Sequence, residues 1–292
     1  MSDIFNTILD KRGVLEVSGE DKLEFLQGLV SNDVTGISDD CAIYAAMLTA
    51  QGKFLFDFFM YEWQSSILIE TEGDRIAQLK KKLSMYRLRA KIKLEDVTDL
   101  WSVAAIWGSN ALTSLGLSKN PGSASAWQGG LIAVDPRILS AGARALLPKN
   151  DDIQLPGKDV SQSEYDLHRL DLGLPDSGRD MIVEKSILLE NGFDELNGIN
   201  WEKGCYIGQE LTARTKYRGL IKKRLVPVKV DGVMPPAGTP ILLDGKSIGE
   251  LRSGRDGRAL AILRIEHLQN TGSIFTAENA TILPKKPNWA DF

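Results

Sequence analysis

Hydrophobic positions near the N-terminus follow a helical period first and a strand period afterwards. Residues 18–30 open with side chains that cap helices and then space their leucines three or four apart, which predicts an amphipathic helix. Aromatic and aliphatic residues then fill residues 44–49 and 54–63, on either side of a turn-forming sequence at 50–53. The two stretches are typical of a β-hairpin.

Three more segments follow, and they predict a strand, a lysine-rich amphipathic helix and another strand at 66–70, 74–86 and 90–97. With the hairpin they give the order β-β-β-α-β. Asp57 lies inside the second apolar strand. A carboxylate there must find a partner, face a cavity, or point to solvent on the outer side of the strand.

The middle of the chain is less regular. Its predicted segments are a buried strand, a loop region, two short strands and a helix, in the order 101–107, 109–130, 131–134, 143–147 and 161–172. Residues 176–204 have little periodicity, and so long a loop inside a compact domain is often functional.

From residue 222 onward the pattern changes to short strands separated by turns. The predicted strands are 224–230, 239–243, 247–253, 259–265 and 280–283. Asp244-Gly245 is a strong hairpin signal between two of them. This region predicts a small all-β barrel or sandwich.

Composition places the 292-residue chain among ordinary globular proteins, with 43% hydrophobic and 25% charged residues. Its net charge of -4 argues against a surface built to hold nucleic acid. The first residues lack the pattern of a signal peptide, and no apolar run is long enough to span a membrane. We therefore expect a cytoplasmic protein with no membrane partner and no direct nucleic-acid binding.

Cysteine and histidine are scarce. The chain has Cys41, Cys205, His168 and His267 and no others. Their spacing fits neither a disulfide framework nor a zinc finger, so the sequence predicts no metal site.

The densest candidate chemistry lies just before the C-terminal strands. Gly204 and Gly208 flank Cys205 and permit a tight backbone path with close approach of a ligand. A helix beginning near Gln209 would place Cys205 beside a helix N-terminus, with Lys203 close by, and both features favour the thiolate. The alternative is that Cys205 is a small apolar residue packed in a turn.

A run of cations with no acidic residue follows this loop: Arg214, Lys216, Arg218, Lys222, Lys223 and Arg224. A positive patch beside a loop suits an anionic ligand tail, such as glutamates or phosphates. The alternative is an ordinary solvated helix and strand edge. Asp171, at a helix end, and Glu190, in the long loop, carry little information alone.

The string Lys203-Gly-Cys-Tyr-Ile-Gly-Gln-Glu210, with Arg214 and Arg218-Gly219 downstream, resembles the signature of the YgfZ-type folate-binding proteins. The mitochondrial counterparts of that family act late in iron-sulfur cluster assembly. The resemblance extends over nearly the whole chain, through 25–34, 52–57 and 169–175. The string around Cys205 is highly specific, whereas the other segments are weak by themselves.

That family shares its fold with the T-protein of glycine cleavage, a tetrahydrofolate-dependent aminomethyltransferase. The resemblance therefore implies an α+β, T-protein-like fold with a ferredoxin-like subdomain and a C-terminal β-barrel. We expect a folate-binding body at 1–220, made of two interleaved subdomains, one of them at about 44–110, and the barrel at 221–292.

The resemblance also implies site residues. Asp57 falls where the T-protein keeps its catalytic aspartate, and Asp171 where it keeps the glutamate that holds the pterin ring. We expect tetrahydrofolate, or a derivative, in a cavity lined by Asp57, Asp171 and Glu190. The cofactor's polyglutamate tail would meet a positive rim, formed by Arg214, Lys216 and Arg218. Asp171 is one methylene shorter than the glutamate it replaces, and the T-protein lacks the Cys205 signature, which argues against glycine cleavage itself.

Two functions from different classes follow. In the first, a folate-binding factor assists the maturation of iron-sulfur proteins, with Cys205 as the functional thiol and Lys203 beside it. Its partners are assembly proteins or client iron-sulfur enzymes, because one cysteine cannot hold a cluster alone. In the second, the protein is a folate-dependent aminomethyltransferase in which Asp57 positions the folate amine and Cys205 is incidental. A nucleic-acid scaffold is weaker, since aromatic stacking partners near the basic run are sparse.

Overall fold

A computed structural model of the chain describes residues 4–149, 153–268 and 274–292. The strands, in chain order, are β1 (Phe5–Ile8), β2 (Arg12–Ser18), β3 (Ile43–Leu48), β4 (Phe54–Trp63), β5 (Ser66–Glu72), β6 (Lys93–Asp96), β7 (Trp101–Trp107), β8 (Ala124–Trp127), β9 (Gly130–Val134), β10 (Ala143–Pro148), β11 (Lys158–Asp159), β12 (Lys223–Asp231), β13 (Pro240–Leu243), β14 (Lys246–Arg255), β15 (Arg258–Arg264), β16 (Phe275–Ala277) and β17 (Ala280–Pro284). The helices are α1 (Lys22–Gln27), α2 (Ile76–Tyr86), α3 (Ala111–Ser114), α4 (Gln162–Leu172), α5 (Ser177–Asp180), α6 (Gln209–Tyr217) and α7 (Ile265–Leu268).

The first sheet contains the predicted hairpin and has the strand order β3-β4-β5-β2-β6. Helix α2 packs on it through Ile76, Leu79 and Leu83, which recur at helical spacing and are buried. The β-β-β-α-β order is confirmed for this sheet. Strand β2, which precedes the hairpin in the chain, was not predicted, although it pairs with both β5 and β6.

The second sheet has the order β11-β1-β7-β10-β9-β8. Strand β7 lies within the range 44–110 expected for one subdomain, yet it pairs with β1 and β10 of this second sheet. The region 109–130, expected to be loops, contains α3 and β8. Both elements are only four residues long, too short for a periodic pattern to reveal.

The two sheets face each other across a shared apolar core. Phe59 and Tyr61 of β4 contribute to it from the first sheet, and Val103 and Ala105 of β7 contribute from the second. Because side chains alternate along a strand, Asp57 points to the same side as Phe59. Strand β4 is therefore covered on both faces, and the solvent-facing position considered for Asp57 does not exist.

The C-terminal strands close into a barrel with the order β12-β15-β14-β13-β16-β17, and the sandwich alternative is not met. Asp244 and Gly245 join β13 to β14 with φ of 50° and 76°. A two-residue turn with both φ values positive matches the twist of the strands that it connects. The predicted hairpin is confirmed at this point.

Among the described residues, no helix combines the length and the apolar character needed to cross a bilayer.

Candidate functional site

The main cavity has a volume of about 580 Å³ and lies where the body meets the barrel. Its wall includes Asp57 and Phe59 from β4, Asp176 beside α5, and Arg255 from the barrel strand β14. A volume in this range is typical of sites that hold a small molecule or a cofactor.

Asp57 is held in this wall by hydrogen bonds on both carboxylate oxygens. The Tyr44 hydroxyl donates to one oxygen at 2.7 Å, and the Ser177 hydroxyl donates to the other. Asp57 is buried, so these two donors replace the water that the carboxylate loses. Tyr44 is fixed in turn, because its ring stacks on Phe193 with centroids 5.0 Å apart.

A second carboxylate brings an unused acceptor to the same cavity. Asp176 accepts from the Arg179 Nε through one oxygen, at 2.7 Å. Its other oxygen, Oδ1, is buried and has no hydrogen-bond partner within the described residues. A buried acceptor without a partner is costly, which favours a bound group that donates to it.

Two of the arginines that line the inner wall of the cavity, Arg12 and Arg144, share one buried carboxylate. Glu70 pairs with Arg12 and Arg144 and accepts from the Tyr61 hydroxyl at 3.0 Å. Burial alone would raise the pKa of Glu70, but the two guanidiniums outweigh it and hold the pKa at about 2. The Arg144 guanidinium also lies 4.1 Å from the centre of the Phe59 ring.

Asp166 of α4 ties the body to the barrel at the cavity mouth. Its carboxylate pairs with Arg169 at 2.8 Å, with Arg179 at 2.5 Å and with Arg255 of the barrel at 3.3 Å. Burial opposes the charge on Asp166, but hydrogen bonds and charge from Arg179 and Arg169 hold its pKa well below the usual range. Residues of the body and of the barrel therefore line the same cavity.

Two expected ligands of the pterin do not reach this cavity. Asp171 is about half exposed, and its carboxylate pairs with Arg258 of the barrel at 2.8 Å. The cause is helical geometry, since Asp171 lies two residues, or about 200° of rotation, beyond Arg169 on α4. Glu190 sits in a short 3-10 turn at Leu188–Asn191 whose two leucines point inward, which leaves Glu190 outside the cavity wall. Burial raises the pKa of Glu190.

The loop that carries Cys205 is separate from the cavity. Cys205 is exposed, which is contrary to the alternative of a packed side chain, whereas the neighbouring Tyr206 is buried. Burial raises the pKa of Tyr206 to about 12.

The side chain of Lys203 anchors this loop to a neighbouring segment of the chain. Its ammonium donates to the carbonyls of Gln27, Val30 and Asn32 at 2.9, 2.7 and 2.6 Å. Burial lowers the pKa of Lys203 to about 8. All three N–H donors are engaged, so the ammonium anchors the loop to the end of α1 and the segment after it, and no N–H group is left to donate to Cys205.

Gly208 brings the same loop against the hairpin turn that precedes Asp57. Its φ is 85°, and a Cβ added there would lie 2.6 Å from the Thr49 carbonyl oxygen and 3.2 Å from the Gly52 Cα. Gly204 differs, because a Cβ there meets nothing within 4 Å. The predicted helix begins at Gln209, directly after this contact.

The basic run is dispersed and does not form the rim of the cavity. Lys216 pairs with Asp194 at 3.0 Å, and Arg224 is buried against Glu195 at 2.9 Å. Arg214 on α6 and Arg218 directly after the helix are exposed. None of the three cations expected to form a rim, Arg214, Lys216 and Arg218, lines the cavity wall.

Several cavity residues were not anticipated from the sequence, chiefly Arg12, Glu70, Arg144 and Asp166. The signal that drew attention to Asp57 applies to two of them, because Glu70 and Arg144 also stand inside apolar strands. Within the described ranges, no group of three or more His, Cys, Asp or Glu side chains is arranged to hold a metal ion.

Two family models match the chain, the GCVT N-terminal domain over residues 9–120 and the CAF17 C-terminal beta-barrel domain over residues 222–292. The crystal structure of glycine cleavage system aminomethyltransferase T from Bartonella henselae superposes with a TM-score of 0.77 at 15% identity, covering 99% of this chain and 87% of that one. The T-protein-like fold is thereby confirmed.

Two curated relatives are similar over almost the full chain. The iron-sulfur cluster assembly factor IBA57 of Mus musculus is 31% identical over 306 residues, and its Homo sapiens counterpart is 32% identical over 303 residues. Each alignment covers 96% of this chain and 84% of the relative. Both relatives are named as mitochondrial, so the expected cytoplasmic location is wrong. The lack of a secretory signal has no bearing on that compartment.

Proposed function

This chain belongs to the family of IBA57 iron-sulfur cluster assembly factors, and on that premise we propose that it assists the maturation of iron-sulfur proteins through Cys205 and binds tetrahydrofolate, or a derivative, in its main cavity. The observation that carries the first part is an exposed thiol on a loop whose backbone is fixed on both sides. Lys203 anchors one side of it, and Gly208 packs against the hairpin turn on the other.

A single thiolate offers an iron-sulfur cluster one ligand, whereas such clusters take four protein ligands. Cys205 therefore acts together with a partner, which is an assembly protein or a client iron-sulfur enzyme. An exposed position suits this role because the partner must reach the sulfur atom. A rigid loop suits it because little ordering is needed when the partner arrives.

Two acceptors in the cavity support the folate part of the proposal. The donor-rich edge of a pterin calls for carboxylate oxygens in an otherwise enclosed pocket. Asp57 is buried at the wall, and Asp176 offers an oxygen with no hydrogen-bond partner among the described residues. We assign Asp57 and Asp176 to the pterin and omit Asp171 and Glu190, which lie elsewhere.

An aminomethyltransferase of the glycine cleavage type is not favoured. Asp171, which replaces the pterin-binding glutamate of that enzyme, pairs with Arg258 instead of facing the cavity. The two relatives described above, which match over 96% of this chain, are named as assembly factors.

The maturation role is tested in cells that lack this protein. Activities of several iron-sulfur enzymes, measured beside an enzyme without a cluster, should fall and should return with the wild-type chain. A Cys205→Ala chain should accumulate normally and fail to restore them. Cys41→Ala is the matched control, because Cys41 is only partly exposed and lies far from the loop in sequence. Full restoration by Cys205→Ala would refute the role of this thiol.

The folate site is tested by calorimetry with tetrahydrofolate and the purified protein. Asp57→Asn should weaken binding at least tenfold, because it turns one acceptor into a donor. Asp171→Asn removes a carboxylate of similar size outside the cavity and should leave the affinity unchanged. Equal losses in the two variants, or no binding by the wild-type protein, would contradict the assignment.

A further inference from the structure

Helix α6 follows the Cys205 loop directly and exposes both cations and apolar side chains. Leu211, Tyr217 and Leu220 are 37%, 72% and 51% exposed, although large apolar side chains usually avoid solvent. Arg214 and Arg218 are exposed beside them. We use the term α6 surface for these five residues together.

Within the described part of the chain, the two arginines of the α6 surface form no ion pair. Among the residues that the structure describes, neither Arg214 nor Arg218 has a carboxylate within ion-pair distance. Lys222 and Lys223, which follow in the chain, are exposed and lack one as well. This local excess stands in a chain with a net charge of -4.

Contacts at both ends of α6 hold its first turn and the Tyr217 ring in place. Gly208 sets the start of the helix against the hairpin turn, and the Thr212 hydroxyl donates to the Gly208 carbonyl at 2.9 Å. At the other end, the Tyr217 ring meets Trp201 edge-on with centroids 6.0 Å apart. Tyrosine and arginine are among the side chains that contribute most to protein interfaces, and a tyrosine ring that is already held in place loses little entropy when it is covered.

We infer that the α6 surface docks an acidic face of a partner protein, one that carries apolar residues among its carboxylates and is held so that it reaches Cys205. The docking rests on the proposed function, which requires a partner at this thiol. Complementary charge selects the partner and speeds its association, and the exposed tyrosine and leucines provide apolar contact. A folate tail does not explain these cations, since they lie outside the cavity wall.

A photo-reactive probe tests the docking in living cells. Tyr217→benzoylphenylalanine is irradiated in cells, and the adducts are identified by mass spectrometry down to the attached peptide. The expected adduct is a different protein whose attached segment has a net negative charge. Its yield should drop at least fivefold when Arg214→Glu and Arg218→Glu are added.

Helix α2 offers a matched control. Lys81 in the middle of the helix and Arg87 directly after it are exposed, as are Met85 and Leu88, and no functional cysteine follows them. Lys81→Glu with Arg87→Glu makes the same charge change and should leave the Tyr217 adduct unchanged. Circular dichroism and thermal melting of both double variants verify that each remains folded.

Other outcomes overturn the docking. These are adducts with a second copy of this chain, with nucleic acid or with lipid, attachment to a neutral or basic segment, no adduct at all, or an equal loss in the α2 control. Iron-sulfur enzyme activities in the same cells separate this inference from the proposed function. Full restoration by Arg214→Glu with Arg218→Glu overturns the docking alone, whereas failure of the wild-type chain to restore activity removes both.

Discussion

Gly208 and Gly204 flank the same cysteine, yet the structure predicts opposite consequences for replacing them. An alanine at position 208 would take a φ of 85° and place its Cβ 2.6 Å from the Thr49 carbonyl oxygen and 2.9 Å from the Leu48 Cβ. An alanine at position 204 would meet nothing within 4 Å. Gly204→Ala is therefore a matched control in the same loop.

The cost of Gly208→Ala has two parts. A left-handed backbone costs a residue with a Cβ about 1–2 kcal/mol. Crowding against a carbonyl and a buried leucine adds about 1–3 kcal/mol. The sum is about 2–5 kcal/mol, or roughly 4–10 °C in Tm at about 2 °C per kcal/mol for a chain of this size. Gly204→Ala should stay within about 0.5 kcal/mol of the wild type.

Scanning calorimetry measures both variants directly, and limited proteolysis reports whether the loop before α6 has loosened. We expect Gly208→Ala to melt earlier and to be cut faster near Cys205, because the new Cβ pushes the loop away from the hairpin turn. Equal melting temperatures for the two variants would refute the packing described here. A greater loss for Gly204→Ala would do so even more strongly.

Three further substitutions test the buried charges. Glu70→Gln removes the carboxylate shared by the buried Arg144 and the partly buried Arg12, and it should cost about 3–5 kcal/mol in urea unfolding. Glu95→Gln, at a half-exposed side chain, should cost under about 1 kcal/mol. Burial lowers the pKa of His168 below its usual 6.5, so the unfolded chain is protonated first and the free energy of unfolding falls as pH drops below 6.5. His168→Gln should flatten that fall, measured by the same unfolding assay across pH. Lys203→Met leaves the buried Val30 carbonyl without its donor and should cost about 1–3 kcal/mol, measured by the same unfolding assay. No difference from the wild type in any of the three would contradict its burial argument.

Much of the fold could be predicted because its elements carry strong local patterns. Strand β4 was predicted with its observed limits, since ten consecutive residues are rich in aromatic and aliphatic side chains. The short elements β1, β8 and α3 were missed because four residues hold too little periodicity. Which strands pair is set by contacts between residues far apart in the chain, so the sequence did not indicate that β7 pairs in the second sheet.

The candidate site, too, was predicted from the sequence only in part. A carboxylate in an apolar strand correctly drew attention to Asp57, and the string around Cys205 identified an exposed loop. The expected companions Asp171 and Glu190 lie outside the cavity, because the direction of a side chain on a helix or turn depends on rotation that a resemblance does not fix. Asp176 was missed, because only the folded chain reveals an oxygen buried without a partner.

We propose that the cavity, through bound tetrahydrofolate, and the Cys205 thiol serve one function. The test is to measure iron-sulfur enzyme activity in cells that lack this protein. The cells receive the wild-type chain, Asp57→Asn, Cys205→Ala or the double variant. We predict that each single variant restores little activity and that the double variant is no worse than Cys205→Ala, because both changes interrupt the same process. Full restoration by Asp57→Asn, with its tetrahydrofolate binding shown to be lost, would contradict the claim and separate the cavity from the maturation of iron-sulfur proteins.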